Sequence, residues 1–239
     1  MKVLLLFLMI FVFSEISLVS QHLQKLSKRE IKHGWVLLFD GKSSKGWEKS
    51  NGDPFPAGGW VIKNGELSVS PAHDPEGGGD IVTIDSYSDF ELMADFKITT
   101  GANSGIKYFF TEYEKGGLLG LEFQIIDDAT NPDAKMGING NRVCGSLYDM
   151  FPPSPNWKVR PVGGWNTTLI KSKGKHVEHW LNGIKILEFD RGSEVYMKAL
   201  SLSKYREAVP SFGSVTEGRI LLQDHESEVS FRNIKIRKL

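Results

Sequence analysis

The sequence predicts an all-β chain built as a two-sheet antiparallel sandwich of the jelly-roll kind. Three observations carry that expectation. Period-2 alternation recurs along the chain, most clearly where Phe90, Leu92, Ala94, Phe96 and Ile98 alternate with Glu91, Met93, Asp95 and Lys97. Asn-Gly and Asp-Gly pairs separate apolar runs at hairpin spacing, at Asp40-Gly41, Asn64-Gly65 and Asn182-Gly183. No sustained 3.6-residue pattern and no internal repeat follow the first twenty residues.

Those first residues read as an address. Lys2 is a one-charge opening, Val3 to Phe13 is an almost unbroken apolar run, and Ser14 to Ser20 is more polar and smaller, as in a secretory signal peptide. A run of that length falls short of the roughly 20 residues that span a bilayer. The expected layout is a signal peptide over 1–20, a polar lead-in over 21–33 and one domain over 34–239, exported to the periplasm or beyond, with no stable membrane association after cleavage.

In order, Gly34 to Lys42 reads as a first strand, and Trp60 to Val69 as a hairpin about Asn64-Gly65. Pro71 to Gly79 is a loop, and Phe90 to Ile98 is a strand. Gly101 to Gly105 turns the chain into Ile106, Tyr108 and Phe110, which alternate with Lys107 and Phe109. The central strand is Gly120 to Asp128, and the Asn/Asp/Gly-rich stretch from Ala129 to Cys144 is a long loop of the kind that carries function. Trp165 to Lys171 is strand-like, Val177 to Phe189 is a second hairpin, and Glu194 to Lys204 is either a short helix or irregular. Gly218 to His225 and Val229 to Ile236 close the sandwich.

Lys plus Arg and Asp plus Glu both number 29, so there is no basic field for nucleic acid, and a neutral substrate is the easier partner. Cys144 is the single cysteine; no intrachain disulfide forms, and a small buried residue is its expected role rather than a nucleophile. Core burial alone must stabilise the domain, and a chain of this size buries roughly 70% of its unfolded surface.

The central strand is the chemically capable one. Leu121, Phe123 and Ile125 alternate with Glu122 and Gln124, so the carboxylate and the amide share a face, either as the lining of a groove or as a solvated sheet surface. Asp127 and Asp128 offer oxygen ligands for a hard cation or plain loop caps; no Ca²⁺-loop spacing is present, and His73, His176, His179 and His225 lack zinc spacing, so no cofactor or metal is assigned. His179 stands between Val177 and Leu181, as a core residue or a proton carrier. Ile220 and Leu222 point to the core, which sends Gln223 to the opposite face and leaves His225 at the strand end, oriented by Asp224 or Arg232. Gly77 to Asp80 lacks the spacing of a phosphate loop.

Taken in order, Gly34-Trp35 with Phe39-Asp40-Gly41-Lys42, Gly79-Asp80-Ile81-Val82-Thr83, Asp89 to Leu92, Asn103-Ser104-Gly105-Ile106, Glu122 to Asp128, Val177 to Gly183, Gln223-Asp224-His225 and Phe231 to Ile236 resemble the 3-keto-disaccharide hydrolase domain family. The resemblance spans roughly residues 34 to 239. It implies a concanavalin-like jelly roll and a glycoside-cleaving enzyme acting on sugars that a separate oxidoreductase has oxidised at C3. A C3 ketone acidifies the C2 proton, so a base, a leaving-group acid and an enolate donor suffice for elimination followed by hydration. The catalytic candidates are Glu122, His179 and His225. Asn103, Ser104, Lys107, Gln124, Asp128, Arg142, Tyr148 and Gln223 are candidates for holding the sugar. Two alternatives remain: a non-catalytic carbohydrate-binding module, and a conventional glycosidase with two carboxyl groups about 5 to 9.5 Å apart.

Overall fold

The computed structural model describes residues 24–70, 78–208 and 210–239. The signal-peptide expectation, His73 and most of the loop read over 71–79 lie outside the described residues. Ser27 caps a short helix, α1 (Lys28–Lys32), through a capping box with Glu30, whose carboxylate also pairs with Lys235 and ties the lead-in to the domain.

Two antiparallel sheets follow. The first contains β1 (Val36–Leu37), β3 (Trp60–Lys63), β4 (Glu66–Val69), β6 (Phe90–Ile98), β9 (Asn166–Lys173), β10 (His176–Leu181), β11 (Ile184–Asp190) and β13 (Val229–Lys238). Its order is β11-β10-β9-β6-β13-β4-β3, with β1 also paired to β13. The second sheet runs β2-β5-β12-β7-β8, from β2 (Trp47–Lys49), β5 (Ile81–Thr83), β12 (Arg219–Leu222), β7 (Asn103–Tyr113) and β8 (Gly117–Ile126). The all-β sandwich expected from the alternation is the fold observed, with most strand boundaries shifted by one to three residues.

The core lies between the sheets. Leu92, Phe96, Ile106, Phe123, Ile170 and Phe231 are fully buried there, each burial stabilising the fold by roughly 1.5–3 kcal/mol. Both Asn-Gly hairpins form with Asn64, Gly65, Asn182 and Gly183 at positive φ, as a two-residue turn between right-twisted strands requires. The undecided segment after Asp190 contains a helix, α2 (Glu194–Leu202), capped by Ser193 and anchored by buried Tyr196 and Leu200.

The first strand read over 34–42 shrinks to the two residues of β1, because Leu38 and Phe39 donate singly to the Ile234 carbonyl instead of continuing a ladder. Asn103 and Ser104 lie within β7 and not in a turn. The expected alternation of β7 also breaks. Phe109, at φ 53°, is an extra residue in the register with both neighbouring strands, so Phe109 packs inward against Phe90 and Tyr108 while Phe110 is expelled to the outer face beside Val82 and Leu221.

Candidate active site

The outer face of the five-stranded sheet is organised in two rows set by strand register. Glu48 pairs with Val82, Val82 with Leu221, Leu221 with Lys107 and Lys107 with Glu122. Tyr148 extends that row, since its N–H donates to the Glu122 carbonyl at 3.0 Å. In the next row Gly105 pairs with Gln124, and the Gln223 N–H donates to the Gly105 carbonyl at 3.0 Å. Asp80 stands across from Gln223, one residue before β5, and accepts the Asp224 N–H at 2.9 Å. Side chains two apart on a strand share a face, so Lys107, Glu122, Gln124, Gln223 and Asp80 gather on one surface.

Glu122 is the hub of this cluster. Only 3% of its surface is exposed, and its carboxylate lies over Gly105, where a side chain would block it: a Cβ there would stand 2.6 Å from Oε1. With amide orientations assigned from their neighbours, the Gln124 nitrogen donates to Glu122 Oε1 at 3.0 Å and the Gln223 nitrogen to the same oxygen at 3.3 Å. The Gln223 oxygen then accepts from Lys107 Nζ at 3.2 Å and from His225 Nε2 at 3.1 Å. Burial pushes the Glu122 pKa up, against the pull of Lys107, Lys204 and His225. Asp80 is likewise raised by burial, opposed by the Asp224 N–H and by the Lys107 and His225 charges.

One wall comes from residues after α2. Tyr205 stacks on Phe212 with ring centroids 4.4 Å apart, and its hydroxyl reaches Glu122 Oε2 at 3.5 Å. Lys204 Nζ lies 4.2 Å from the Tyr148 ring centroid; desolvation lowers its pKa, and the Glu122 charge resists that shift. Asp80, Lys204, Tyr205 and Gly105 were not singled out from the sequence. Strand parity alone could have set Asp80 on the face opposite Ile81, although Ile81 and Val82 are both apolar and no alternation marks the run; Lys204 and Tyr205 carry no local signal, because the fold brings them in from a distant connection.

Several expectations are corrected. His179 is sealed between the sheets at 0% exposure, its Nε2 2.8 Å from the Tyr108 hydroxyl and its Nδ1 3.1 Å from the Gly145 carbonyl, and desolvation lowers its pKa to about 4. The reason is parity: Val177, His179 and Leu181 all face inward, and the β11 partner of His179 is Leu187. Ser104 also faces inward, a strut donating to the Gln223 carbonyl at 2.8 Å. Arg142, a candidate for holding the sugar, has its guanidinium held at 2.7 Å by both Asp133 and Asp149. Tyr148 spends its hydroxyl on Asp133 at 2.8 Å, leaving only its ring beside the cluster.

Asp128 anchors the long loop by accepting the Cys144 N–H at 2.8 Å, its pKa raised to about 6 by burial. Asp127 accepts the Gly101 and Ala129 N–H groups and the Thr130 hydroxyl, so both aspartates act as loop caps. Cys144 is buried at 0% exposure, and burial pushes its thiol far up. Arg232 pairs with Asp95 on the other sheet and does not orient His225; Asp224 instead accepts the Gly79 and Glu226 N–H groups. Asn103 lies 3.1 Å from the Gln124 amide, at the end of the second row. Among the described residues the histidine and carboxylate group close enough to share an ion is His176, Glu178 and Glu188, on the other sheet, with Lys185 Nζ already 2.6 Å from Glu188.

A sandwich that carries acids, amides and amines on one sheet face, flanked by tyrosine rings, has the convergent polar groups of a small-molecule site. The chain belongs to the 3-keto-alpha-glucoside-1,2-lyase-like domain family, which it matches over residues 34–237. It is 32% identical over 230 residues to the 3-keto-disaccharide hydrolase of Bacteroides thetaiotaomicron, an alignment covering 86% of this chain and 79% of the relative. A crystal structure from Parabacteroides distasonis, provisionally named a glycosyl hydrolase, superposes with a TM-score of 0.79 at 35% identity, covering 90% of this chain and 98% of that one. A Bacillus subtilis protein with a galectin-like fold aligns at 14% identity with a TM-score of 0.51 over 89% of this chain and 92% of its own, a likeness of fold alone. The chain is thus a hydrolase-like enzyme of a carbohydrate-processing family.

Proposed function

We propose that the protein cleaves the glycosidic bond of 3-keto-glycosides, 3-keto-disaccharides among them, by elimination and hydration on the outer face of the five-stranded sheet. The observation that supports this reading best is the chain Glu122–Gln223–His225 with Lys107 beside it. If Glu122 accepts from the Gln223 amide nitrogen, the Gln223 oxygen must face His225 and receive its Nε2–H. That tautomer leaves the Nδ1 lone pair of an exposed imidazole free to act as base.

In this mechanism His225 takes the C2 proton and the C–H electron pair forms a C2–C3 enolate, which re-forms the ketone and a C1–C2 double bond as the C1–O bond breaks. Negative charge gathers on the C3 oxygen, where the Lys107 ammonium offers a hydrogen bond. Asp80, on the same face, is the proton donor proposed for the departing oxygen, burial favouring its protonated form. Water then adds at C1, giving one proton back to Asp80 as the imidazolium returns its own to C2, so the net change is hydrolysis. Glu122 is a positioning residue: nearly sealed, it sets the amide and through it the imidazole.

The export signal read in the first twenty residues fits a protein meeting its sugar outside the cytoplasm, and the ketone at C3 requires an oxidoreductase acting first. Among the described residues no helix is long and apolar enough to cross a membrane. The test is turnover by the purified chain of a panel of 3-keto-glycosides against their unoxidised parents, with and without chelator. Cleavage confined to the oxidised sugars supports the reading. Binding without cleavage would make the protein a lectin-like module, and cleavage of the unoxidised parents a conventional glycosidase.

A further inference from the structure

The mechanism leaves one cation beside Glu122 without a task. Lys204 follows α2, and its backbone is fixed: its N–H donates to Asp149 Oδ2 at 2.7 Å, and the next N–H, that of Tyr205, donates to Ser203 Oγ at 3.1 Å. Asp149 also accepts from Arg142 Nε at 2.7 Å, which ties this connection to the long loop. The Lys204 ammonium lies 4.2 Å from the Tyr148 ring centroid and 5.1 Å from that of Tyr205, both rings being buried. Arg142 stands 5.3 Å from the same Tyr148 ring, but its donors go to Asp133 and Asp149. Among the described residues no carboxylate pairs with the Lys204 ammonium and no acceptor takes its protons. The residue is exposed, so those three donors are open to a ligand.

Sheet order decides which part of a sugar this amine meets. The strands run β5-β12-β7-β8, and Tyr148 extends the sheet past β8 through its N–H to the Glu122 carbonyl. In the mechanism above, the acid for the C1 leaving oxygen stands just before β5, the base for the C2 proton just after β12, and the donor to the C3 oxygen on β7. Ring carbons C1, C2 and C3 therefore meet the sheet in strand order. The next carbon in the same direction is C4, and the next groups are Glu122 and then the wall of Tyr148 and Lys204. From β7 to Tyr148 is two strand spacings, roughly 10 Å, a span that a sugar hydroxyl on one side and a long amine on the other close together. The Lys204 charge acts on both Glu122 and Lys107, which puts the ammonium on the side of the wall that faces them.

We propose that Lys204 determines specificity by donating to the C4 oxygen of the oxidised ring, and so selects the configuration at that carbon. The proposal rests on the activity put forward above and deepens it by naming the end of the sugar that the site reads. Two aromatic faces attract the ammonium without neutralising it, and they offer no acceptor oxygen. The C4 oxygen supplies the acceptor that is missing. This contact lies on the far side of the ring from the bond that breaks. It is made equally in the bound sugar and in the transition state, so its loss shows in KM and not in kcat.

The test measures kcat and KM for the full chain and for Lys204→Met on three substrates: methyl 3-keto-α-glucopyranoside, its C4 epimer and its 4-deoxy analogue. Lys204 is exposed, and methionine keeps an unbranched apolar stem over the two rings, so the variant folds. Wild type should prefer one C4 epimer to the 4-deoxy analogue by about tenfold in kcat/KM. Lys204→Met should lose about tenfold on that epimer, through KM, and stay within about twofold of wild type on the 4-deoxy analogue. A wild type indifferent to C4, equal losses on both substrates, a loss confined to kcat, or no loss on either overturns the C4 contact and leaves the activity standing. Turnover of none of the three by wild type removes the activity, and this proposal with it.

Discussion

Gly105 and Glu122 occupy adjacent strands so that the carboxylate of one fills the space a side chain on the other would take. A Cβ at position 105 would meet Glu122 Oε1 at 2.6 Å and Cγ at 3.0 Å. The absence of that one carbon lets the carboxylate cross the sheet from the row of Lys107 to the row of Gln223. Because the clash falls on the end of a flexible side chain, Gly105→Ala should fold, with the carboxylate displaced from Gln223. We expect kcat on a 3-keto-glycoside to fall at least about tenfold, while the melting temperature drops by no more than about 5 °C. Circular dichroism melts and steady-state rates measured on one preparation check both halves.

Glu122 should cost stability in return for its role. Burial raises its pKa, so the folded protein resists ionising it more than the unfolded chain does. The sign follows: the native state binds the proton more tightly, and stability falls as pH rises from the unfolded value near 4.5 up to the raised folded value. Glu122→Gln removes that penalty and retains the shape, so the variant should melt higher than wild type at neutral pH, with the gap closing toward pH 4. Its turnover should fall about 100-fold. A variant that melts lower at pH 7 would show that the charge is compensated better than this account holds.

His179 supplies the opposite pH signature. Its folded pKa is near 4 and its unfolded value near 6.5, so the buried imidazole is neutral in the native state. Stability is then fully present above pH 6.5 and declines as the pH falls through 4. The 2.5-unit difference corresponds to a loss on the order of 3 kcal/mol. Urea titrations from pH 7 to pH 4 should show the decline in wild type and a flatter profile in His179→Gln. Where that variant folds, kcat should stay within about threefold of wild type, since the ring lies in the core and touches no ligand.

The bulge at Phe109 should be sensitive from the neighbouring strand. Gly218→Ala places a carbon 2.5 Å from backbone atoms that have no rotamer to change, so the strand pairing must shift. We expect a loss of about 1–3 kcal/mol in chemical denaturation. At Gly183, where a Cβ meets nothing within 4 Å, Gly183→Ala should cost only the strain of its positive φ and leave the pairing of the strands unmoved, as backbone amide exchange would show.

Much of the fold was legible because it is local. The alternation of β6, the Asn64-Gly65 and Asn182-Gly183 turns and the polar parity of Glu122 and Gln124 are pattern statements, and each has a physical period behind it. The placement of His179 was legible by the same rule, since Val177, His179 and Leu181 share a face; family likeness had argued it outward, and parity argued it in. Arg142 looked free only because its partners, Asp133 and Asp149, lie on separate turns of one folded loop. Lys204 and Tyr205 reach Glu122 through tertiary packing of α2, which no window of sequence reports. The Phe109 bulge has no residue signature at all; its evidence is in Gly120 of β8 and in Gly218 just before β12, and these become meaningful only once the strands are paired.

The most direct measurement is the rate at which the purified chain releases free sugar from a 3-keto-disaccharide, taken beside His225→Ala and Lys107→Ala. The account requires wild-type turnover of the oxidised sugar, no turnover of its unoxidised parent, and losses of about 100-fold or more in both variants with unchanged melting curves. Full activity in His225→Ala and Lys107→Ala would contradict it, and would move the chemistry off this face of the sheet.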